Sequence, residues 1–406
     1  MNYELNVYWI WLASASGIGA VTARRLLDKF GSPDKVYEAG ASDYRGVAGL
    51  RLCDAERLMN KSTDESAKAE QSCIDRGYRI ITLNDDEYPE RLKNIYDPPV
   101  IFYVSGSLPP IDDEPAVGIV GTRNSTLYGD TEAEKAGHIL ARSGIIVVTG
   151  LARGIDTSAA RGALRGGGRV IGVIGSGLDI VYPGENRALF DEVSRKGAII
   201  SEYPPGTQPA ASHFPARNRL ISGLSLGVAV IEAPRRSGAL LTAARALEQG
   251  RDVFTLPGNV GEWSCEGSNA LLREGAIPFL CGEDIVMEYA GLFPEISIPG
   301  TQEEPSRFAA NNGKNDEKKL VDIVSAADYI DLSQIYDELD GAESLVAQAI
   351  GPAGSYTDDM IVSTDLSAKD VLSALTMLEI KGIASRDKSG KWKLLKVQEG
   401  MNINAE

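Results

Sequence analysis

From residue 115 onwards, short apolar segments alternate with longer segments whose apolar residues recur at helical spacing. Several apolar segments lack period-two alternation, which is typical of strands buried on both faces of a parallel sheet. Strands are predicted at residues 116–120, 145–149, 170–174, 198–201, 228–231, 253–256 and 277–280. Helices between them are predicted at residues 128–143, 156–166, 186–196, 215–223 and 238–249. This alternation predicts an α/β domain over residues 115–290 with an extended Rossmann-like, doubly wound parallel sheet.

Residues 1–80 lack this alternation and predict a small helical domain instead. Two glycine-containing turns, at 17–19 and 46–50, each precede a helical pattern, an arrangement that resembles SAM and helix-hairpin-helix modules. Such turns either present backbone amides to DNA phosphates or connect packed helices, and the sequence leaves both interpretations open. Residues 81–114 are predicted to form a connector that contains a short strand.

The C-terminal part of the chain predicts a second folded domain after a linker at residues 291–318. Helical patterns followed by two strands predict a winged helix over residues 319–396, with the helices at 320–326, 332–339 and 371–380, the strands at 383–386 and 392–395, and a tail at 397–406. The candidate recognition helix, residues 367–380, contains Lys369 as its only cation, against Asp370 and Glu379. A helix that enters the DNA major groove is normally basic. We therefore expect this domain to contact protein or to act as a scaffold, with its basic wing as the alternative DNA contact.

The formal net charge of −16 would by itself argue against a nucleic-acid-binding protein. The charge is unevenly distributed, because residues 115–285 contain 17 Lys+Arg and 17 Asp+Glu, and the acidic excess lies in the flanking segments. Only Lys135 and Lys196 of these central cations are lysines. Arginine binds phosphate through two parallel hydrogen bonds and stacks on bases. An arginine-rich, neutral centre between acidic arms is compatible with local binding of a polyanion.

Four cysteines and two histidines show no disulfide framework and no metal-ligand spacing, so neither a metal nor a cofactor is expected. A reducing cytoplasm is the compartment that fits this composition best. The uncharged stretch 5–23 is not preceded by basic residues, which disfavours a signal peptide. We expect no membrane-spanning segment.

Candidate binding residues lie in the turns that follow the predicted strands. Glycine turns leave backbone amides and helix N-termini available to phosphate, and nearby arginines add positive charge. Asp156 is expected to act as a helix N-cap there. The candidates are Gly121, Thr122, Arg123, Asn124, Gly150, Arg153, Gly154, Gly175, Ser176, Gly177, Arg187, Arg217, Asn218, Arg219, Ser237, Gly238 and Thr242.

The joint occurrence of G-T-R at 121–123, G-L-A-R-G-I-D at 150–156, P-A-R-N-R at 215–219 and S-G-A-L-L-T at 237–242 resembles the DprA/Smf family. The resemblance covers most of the chain. It implies a non-catalytic protein that binds and protects single-stranded DNA, helps to load the RecA recombinase during natural transformation, and acts as a homodimer. Ala160 and Gly184 depart from the family pattern, which has a histidine and often a basic residue there; Arg187 is the candidate replacement for the second charge.

Two enzyme classes are alternatives for a Rossmann-like sequence. A dinucleotide-dependent dehydrogenase is disfavoured, because neither G-I-V-G-T-R-N nor G-V-I-G-S-G-L-D completes the G-x-G-x-x-G fingerprint. A phosphoribohydrolase of the LOG-like type shares a related core. Its motif supplies a catalytic acid, whereas the corresponding turn at 232–238 is followed by no carboxylate in the next helical turn. The phosphoribohydrolase remains the alternative function.

Overall fold

The computed structural model describes residues 3–297, 339, 341–350, 355–364, 366–381, 383–386 and 391–394. The structure divides the chain into two compact units, Met1–Pro305 and Ser306–Glu406. In the first unit, one continuous hydrophobic core extends from Trp9 to Ile296. No helix in the described ranges is long and apolar enough to cross a membrane.

The first unit begins with the short helices that the sequence predicts for residues 1–80. They are α1 (Tyr3–Ser14), α2 (Ala20–Phe30), α3 (Pro33–Glu38), α4 (Leu52–Leu58) and α5 (Asp64–Arg76). The first half of the uncharged stretch lies in α1, whose Trp9, Ile10 and Leu12 are buried in the core. Gly31 ends α2 in the left-handed conformation, with φ 86°, which glycine adopts without a steric penalty.

The region of the predicted connector contributes two strands to the main sheet, the first of which begins two residues before residue 81. Its elements are β1 (Arg79–Thr82), α6 (Glu90–Lys93) and β2 (Ile101–Gly106). Strand β2 pairs antiparallel with both β1 and a strand of the central domain. Only one short strand was expected here, because a four-residue edge strand has too little apolar alternation to stand out in the sequence.

The central segment has the predicted strand–helix alternation. Its elements are β3 (Ala116–Gly121), α7 (Leu127–Arg142), β4 (Ile146–Thr149), α8 (Ile155–Arg165), β5 (Val170–Ile174), α9 (Arg187–Lys196), β6 (Ala198–Ser201), α10 (His213–Leu224), β7 (Gly227–Ile231), α11 (Gly238–Glu248), β8 (Asp252–Thr255), α12 (Glu266–Arg273), β9 (Ile277–Pro278) and α13 (Gly282–Ala290). Helices α12 and α13 are additional to the predicted elements. Strand β9 ends at Pro278, which has no backbone N–H with which to continue the ladder.

The described strands of the first unit form one sheet in the order β1-β2-β6-β5-β4-β3-β7-β8-β9. All neighbours from β6 to β9 are parallel. The chain runs outward from β3 to β4 on one side, and β7 pairs with β3 on the other. This is a topological switch point, where doubly wound folds hold ligands outside the carboxyl ends of the strands.

The second unit contains the predicted recognition helix, α16 (Ala368–Ile380), and the two predicted strands, β10 (Ala384–Arg386) and β11 (Trp392–Leu394). Helices α14 (Gly341–Ala349) and α15 (Thr357–Thr364) were not predicted. Its separate core includes Val346, Met360, Leu375 and Trp392. The helical patterns predicted at 320–326 and 332–339 lie outside the described residues, except for Leu339.

Candidate functional site

Two adjoining clefts lie along the carboxyl edge of the sheet. The main cleft has a volume of about 1040 Å³ and is bounded by the turns after β3 and β7, by α10 and by Trp263. The side cleft, of about 250 Å³, lies between the turns after β3, β4 and β5. Arg123, Ala152, Tyr182 and Phe214 border both clefts. The main cleft therefore occupies the switch point between β3 and β7.

Most of the predicted binding residues line these clefts. The main cleft is lined by Gly121, Thr122, Arg123, Arg217, Asn218, Ser237, Gly238 and Thr242. The side cleft is lined by Arg123, Asn124, Gly150, Arg153, Gly175 and Ser176. The predicted residues that line neither cleft are Gly154, Gly177, Arg187 and Arg219.

Arg123 lies exposed at the boundary between the two clefts. Its guanidinium carbon is 4.7 Å from the centre of the Phe214 ring, a cation–π contact. Within the part of the chain that the structure describes, no carboxylate pairs with it. In particular, Glu232 accepts hydrogen bonds from the backbone N–H and the hydroxyl of Thr126 instead. The Arg123 charge is therefore available to a ligand in either cleft.

Arg217 forms the floor of the main cleft and is 4% exposed. Its guanidinium donates to the carbonyl of Val173, while its Nε finds no partner among the described residues. Burial lowers the pKa of Arg217 to about 10, against the opposing attraction of Asp156, so the group is still cationic at neutral pH. Gly150 packs directly against this guanidinium, and any side chain at that position would overlap it.

The turn after β4 is arranged differently from the expectation. Asp156 is the second residue of α8, and Gly154, with φ 72°, holds the N-cap position. The Asp156 carboxylate accepts from the amides of Gly150, at 3.0 Å, and Ala152, at 3.4 Å. Burial raises the pKa of this carboxyl group, opposed chiefly by Arg217. The amides that were expected to bind phosphate thus already bind a carboxylate of the protein.

The N-terminus of α7 is occupied in the same way by Glu232. This residue directly follows β7 and has a φ of 46°, a strained conformation for a non-glycine residue, and its side chain is buried. Its carboxylate accepts from the Thr126 amide at 2.8 Å and from the Ser264 hydroxyl at 3.2 Å, and its carbonyl accepts from the Thr122 amide at 2.8 Å. Glu232 therefore links the loops after β3, β7 and β8.

Arg219 faces away from both clefts, although it was expected to contact phosphate. Its Nη2 donates to Glu202 at 2.7 Å, and its Nε lies 3.1 Å from Asp97. The side chain is buried, and the attraction of Glu202 and Asp97 outweighs the burial, so the pKa of Arg219 is raised. These contacts join α10 to the loops after β6 and α6.

The other predicted residues outside the clefts have structural surroundings. Gly154 approaches the Thr122 carbonyl so closely that a side chain would not fit. The Gly177 amide donates to Thr207 at 2.8 Å, and Arg187 is the exposed first residue of α9. Ala160, one of the departures from the family pattern, is fully buried and lines neither cleft.

Arg153 does line the side cleft, where it forms an exposed ion pair with Glu185 at 2.6 and 2.7 Å. Exposed pairs of this kind contribute little to stability.

The same edge carries aromatic side chains and two further arginines that were not among the predicted binding residues. Tyr182 and Phe214 have ring centroids 5.8 Å apart, and the Arg123 guanidinium lies over the Phe214 ring. Arg235 and Arg236 are exposed in the turn after β7, and neither pairs with a carboxylate among the described residues. The available signal was the placement of aromatic residues beside arginines in turns that follow parallel strands, the combination that single-stranded nucleic acids require.

The fold and the site together define a Rossmann-like α/β protein with an arginine-lined cleft at the switch point of its sheet. Comparison with known families adds the identity. A family model for DNA recombination-mediator protein A matches residues 79–290, and a model for the DprA winged helix domain matches residues 333–390. The chain belongs to the DNA recombination-mediator protein A family, also called DprA/Smf.

Individual relatives cover large parts of the chain. Protein Smf of Synechocystis sp. is 32% identical over 385 residues, which span 94% of this chain and 96% of the relative. The crystal structure of DprA from Streptococcus pneumoniae is 35% identical, with a TM-score of 0.62 over 70% of this chain and 97% of that one. DprA from Helicobacter pylori, whose structure concerns its single-stranded DNA binding mode, is 30% identical over 53% of this chain and 97% of that one, with a TM-score of 0.48.

Proposed function

We propose that this protein binds single-stranded DNA in the main and side clefts, without catalysing a reaction, and acts as a recombination mediator in the cytoplasm. The observation that carries the proposal is the juxtaposition of arginines with aromatic faces at the switch point. Arg123 lies over Phe214, Tyr182 lies beside it, and Arg217 forms the floor. The four cysteines, which form no disulfide, support a reducing compartment.

The chemistry of the clefts favours a single strand over a duplex. Cations neutralise the phosphates of either form, but stacking of a base on an aromatic ring requires that the base is unpaired and accessible. The unpartnered Nε of buried Arg217 supports an anion at the cleft floor, because a phosphate oxygen would supply its missing acceptor. Asn218 and the start of α11 at Gly238 line the same floor and add polar groups.

A titration with single-stranded and double-stranded DNA of equal length tests this proposal. We expect the single strand to bind at least about tenfold more tightly, because only it offers bases for stacking. Equal affinity for both forms would contradict the cleft as the binding site. It would point instead to the N-terminal helical modules or to the winged helix.

The surroundings of Glu232 support the absence of catalysis. Glu232 is the carboxylate in the turn 232–238, which corresponds to the motif that supplies the catalytic acid in phosphoribohydrolases. Glu232 is buried and its oxygens accept from Thr126 and Ser264, so it does not present an acid to the main cleft. We expect no consumption of NAD(P) and no hydrolysis of AMP or CMP by the purified protein. Release of free base above a blank would favour the phosphoribohydrolase.

We further propose that the protein acts as a homodimer that helps to load a RecA-type recombinase during natural transformation or DNA uptake. Membership of the recombination-mediator family supports this role. Two copies holding one strand would gain avidity without new contacts. The test is the DNA-dependent ATPase rate of RecA on strands covered by single-strand-binding protein, with the oligomeric state measured by light scattering. Failure to stimulate RecA would contradict the mediator role.

A further inference from the structure

The main cleft is lined by a third exposed aromatic side chain besides Tyr182 and Phe214. Trp263 lies in the 3₁₀ turn Trp263–Cys265 after β8 and lines the main cleft. All four tryptophans of the chain are in described segments, and Trp263 is 59% exposed, whereas Trp9, Trp11 and Trp392 are between 5% and 7% exposed. A large exposed aromatic side chain at the rim of a cleft indicates an interaction site.

The turn that carries Trp263 is held rigidly against the sheet. The next residue, Ser264, is buried and donates to Glu232, which is fixed in turn by Thr126. Cys265 is also buried, and Gly258 packs against its sulfur so closely that a side chain would not fit there. The indole is therefore presented to the cleft by a backbone that has little freedom, which lowers the entropy lost when a ligand orders it.

The groups beside Trp263 suit a base better than a phosphate. Pro234 and exposed Leu241 line the main cleft as well and add apolar surface to it. Glu266 lines it as well, and its negative charge would repel a phosphate. The arginines that line the main cleft are Arg123, Arg217, Arg235 and Arg236.

The sheet order separates Trp263 from the Tyr182–Phe214 pair. Arg123, which follows β3, lies over Phe214, and Tyr182 lies beside Phe214, whereas Trp263 follows β8. The order β3-β7-β8 places two strand spacings between the strands that lead to Arg123 and to Trp263, about 10 Å at about 4.8 Å per spacing. A single strand with a stacked rise of about 3.4 Å per nucleotide covers that distance with about three nucleotides. Arg235 lies in the turn after β7, the strand between β3 and β8.

We propose that Trp263, with Leu241 and Pro234, forms a second base-stacking subsite at the far end of the main cleft. A single strand then crosses the sheet edge with bases held at both ends and phosphates over the arginines between them. The inference rests on the proposed single-stranded DNA binding and specifies where one end of the bound strand lies.

Intrinsic fluorescence tests the subsite in the full-length protein, because Trp263 is the exposed tryptophan and stacking on a base quenches indole emission. We expect a 12-nucleotide oligothymidylate to quench the wild-type emission, and the Trp263→Phe variant to lose most of this quenching while it retains affinity. Trp263→Ala should bind the oligonucleotide about fivefold or more weakly, the lower end of measured stacking effects. An abasic oligomer of equal length should bind both proteins equally, because it has phosphates but no bases.

Tyr96→Ala is the matched control, because Tyr96 is an exposed aromatic residue that lines neither cleft. It should leave affinity and quenching unchanged. If the wild type binds oligothymidylate but Trp263→Ala binds it equally well, or if Trp263→Phe is quenched as strongly as the wild type, the subsite is wrong while the proposed function stands. If the wild type does not bind oligothymidylate at all, the proposed function itself fails.

Discussion

Removal of the Arg123 guanidinium should weaken binding of single-stranded DNA with little effect on folding. Hydrogen bonds to charged groups contribute about 1.5–3 kcal/mol, which corresponds to roughly 10- to 140-fold in affinity at about 1.4 kcal/mol per tenfold. Arg123 is exposed, so we expect Arg123→Ala to lie at the lower end, near about tenfold. Arg123→Glu should bind still more weakly, because it places a negative charge against the phosphates.

The structural cost of Arg123→Ala should be small. The contact that it loses within the protein is the cation–π interaction with Phe214, worth about 0.5–1 kcal/mol at an exposed site. For a compact unit of this size, that corresponds to a fall in Tm of a few degrees at most. No ion pair with a described carboxylate is broken, which separates this substitution from one at a buried arginine.

The assay is a fluorescence-anisotropy titration at several salt concentrations, with Tm measured on the same samples. Each lost phosphate contact should reduce the log–log salt slope by about 0.7 for a single strand. Arg142→Ala is the matched control, because Arg142 is exposed at the last residue of α7, the end of that helix away from the clefts. An unchanged affinity and salt slope in Arg123→Ala, with a lowered Tm, would refute the phosphate contact and leave Arg123 a structural role.

Three further outcomes follow from the site. Arg219→Ala should destabilise the fold by about 3 kcal/mol, because it leaves Glu202 and Asp97 without their cation; a denaturant titration measures this, and loss of affinity at unchanged stability would contradict it. Burial raises the pKa of Asp156, so the folded state holds that proton more tightly, and stability is lost as the pH rises above about 4 through the raised pKa. Denaturant titrations at a series of pH values measure this effect. Asp156→Asn, which has no proton to lose, should lose less stability than the wild type as the pH rises, and equal losses would contradict a raised pKa at Asp156. A chain that ends at Glu304 should keep its single-strand affinity, since the clefts lie in the unit Met1–Pro305; a large loss would show that the wing or a dimer contact takes part.

Much of the architecture could be predicted because burial leaves a strong pattern in the sequence. Several of these strands, such as β3, β5 and β7, are continuous apolar runs, which are typical of strands with both faces covered by helices. The turns after these strands followed from the same pattern, since parallel strands bring all their carboxyl ends to one edge. Elements that are short, such as β1, or that lie at the end of the domain, such as α13, were not predicted, because their apolar patterns are weak.

The sequence predicted which turns surround the clefts, but not the hydrogen-bond partners of the groups in those turns. The Gly150 amide was expected to be free for phosphate, yet it donates to Asp156, six residues later in the chain. That contact depends on how the backbone turns between β4 and α8, where Leu151 has a φ of 51° and Gly154 a φ of 72°. Such dihedral angles are not visible in residue type alone, because glycine permits positive φ but does not require it.

The R-N-R motif at residues 217–219 shows most directly what each level determines. The sequence determined that two arginines lie on one helix near the edge of a parallel sheet. Residues two apart on a helix differ by about 200° in direction and do not face the same neighbour. The tertiary structure therefore decided their roles: Arg217 lies on the floor of the main cleft, whereas Arg219 is buried between Glu202 and Asp97. Those carboxylates are contributed by the loops after β6 and α6, and only the packing of α10 against both loops brings them to the guanidinium.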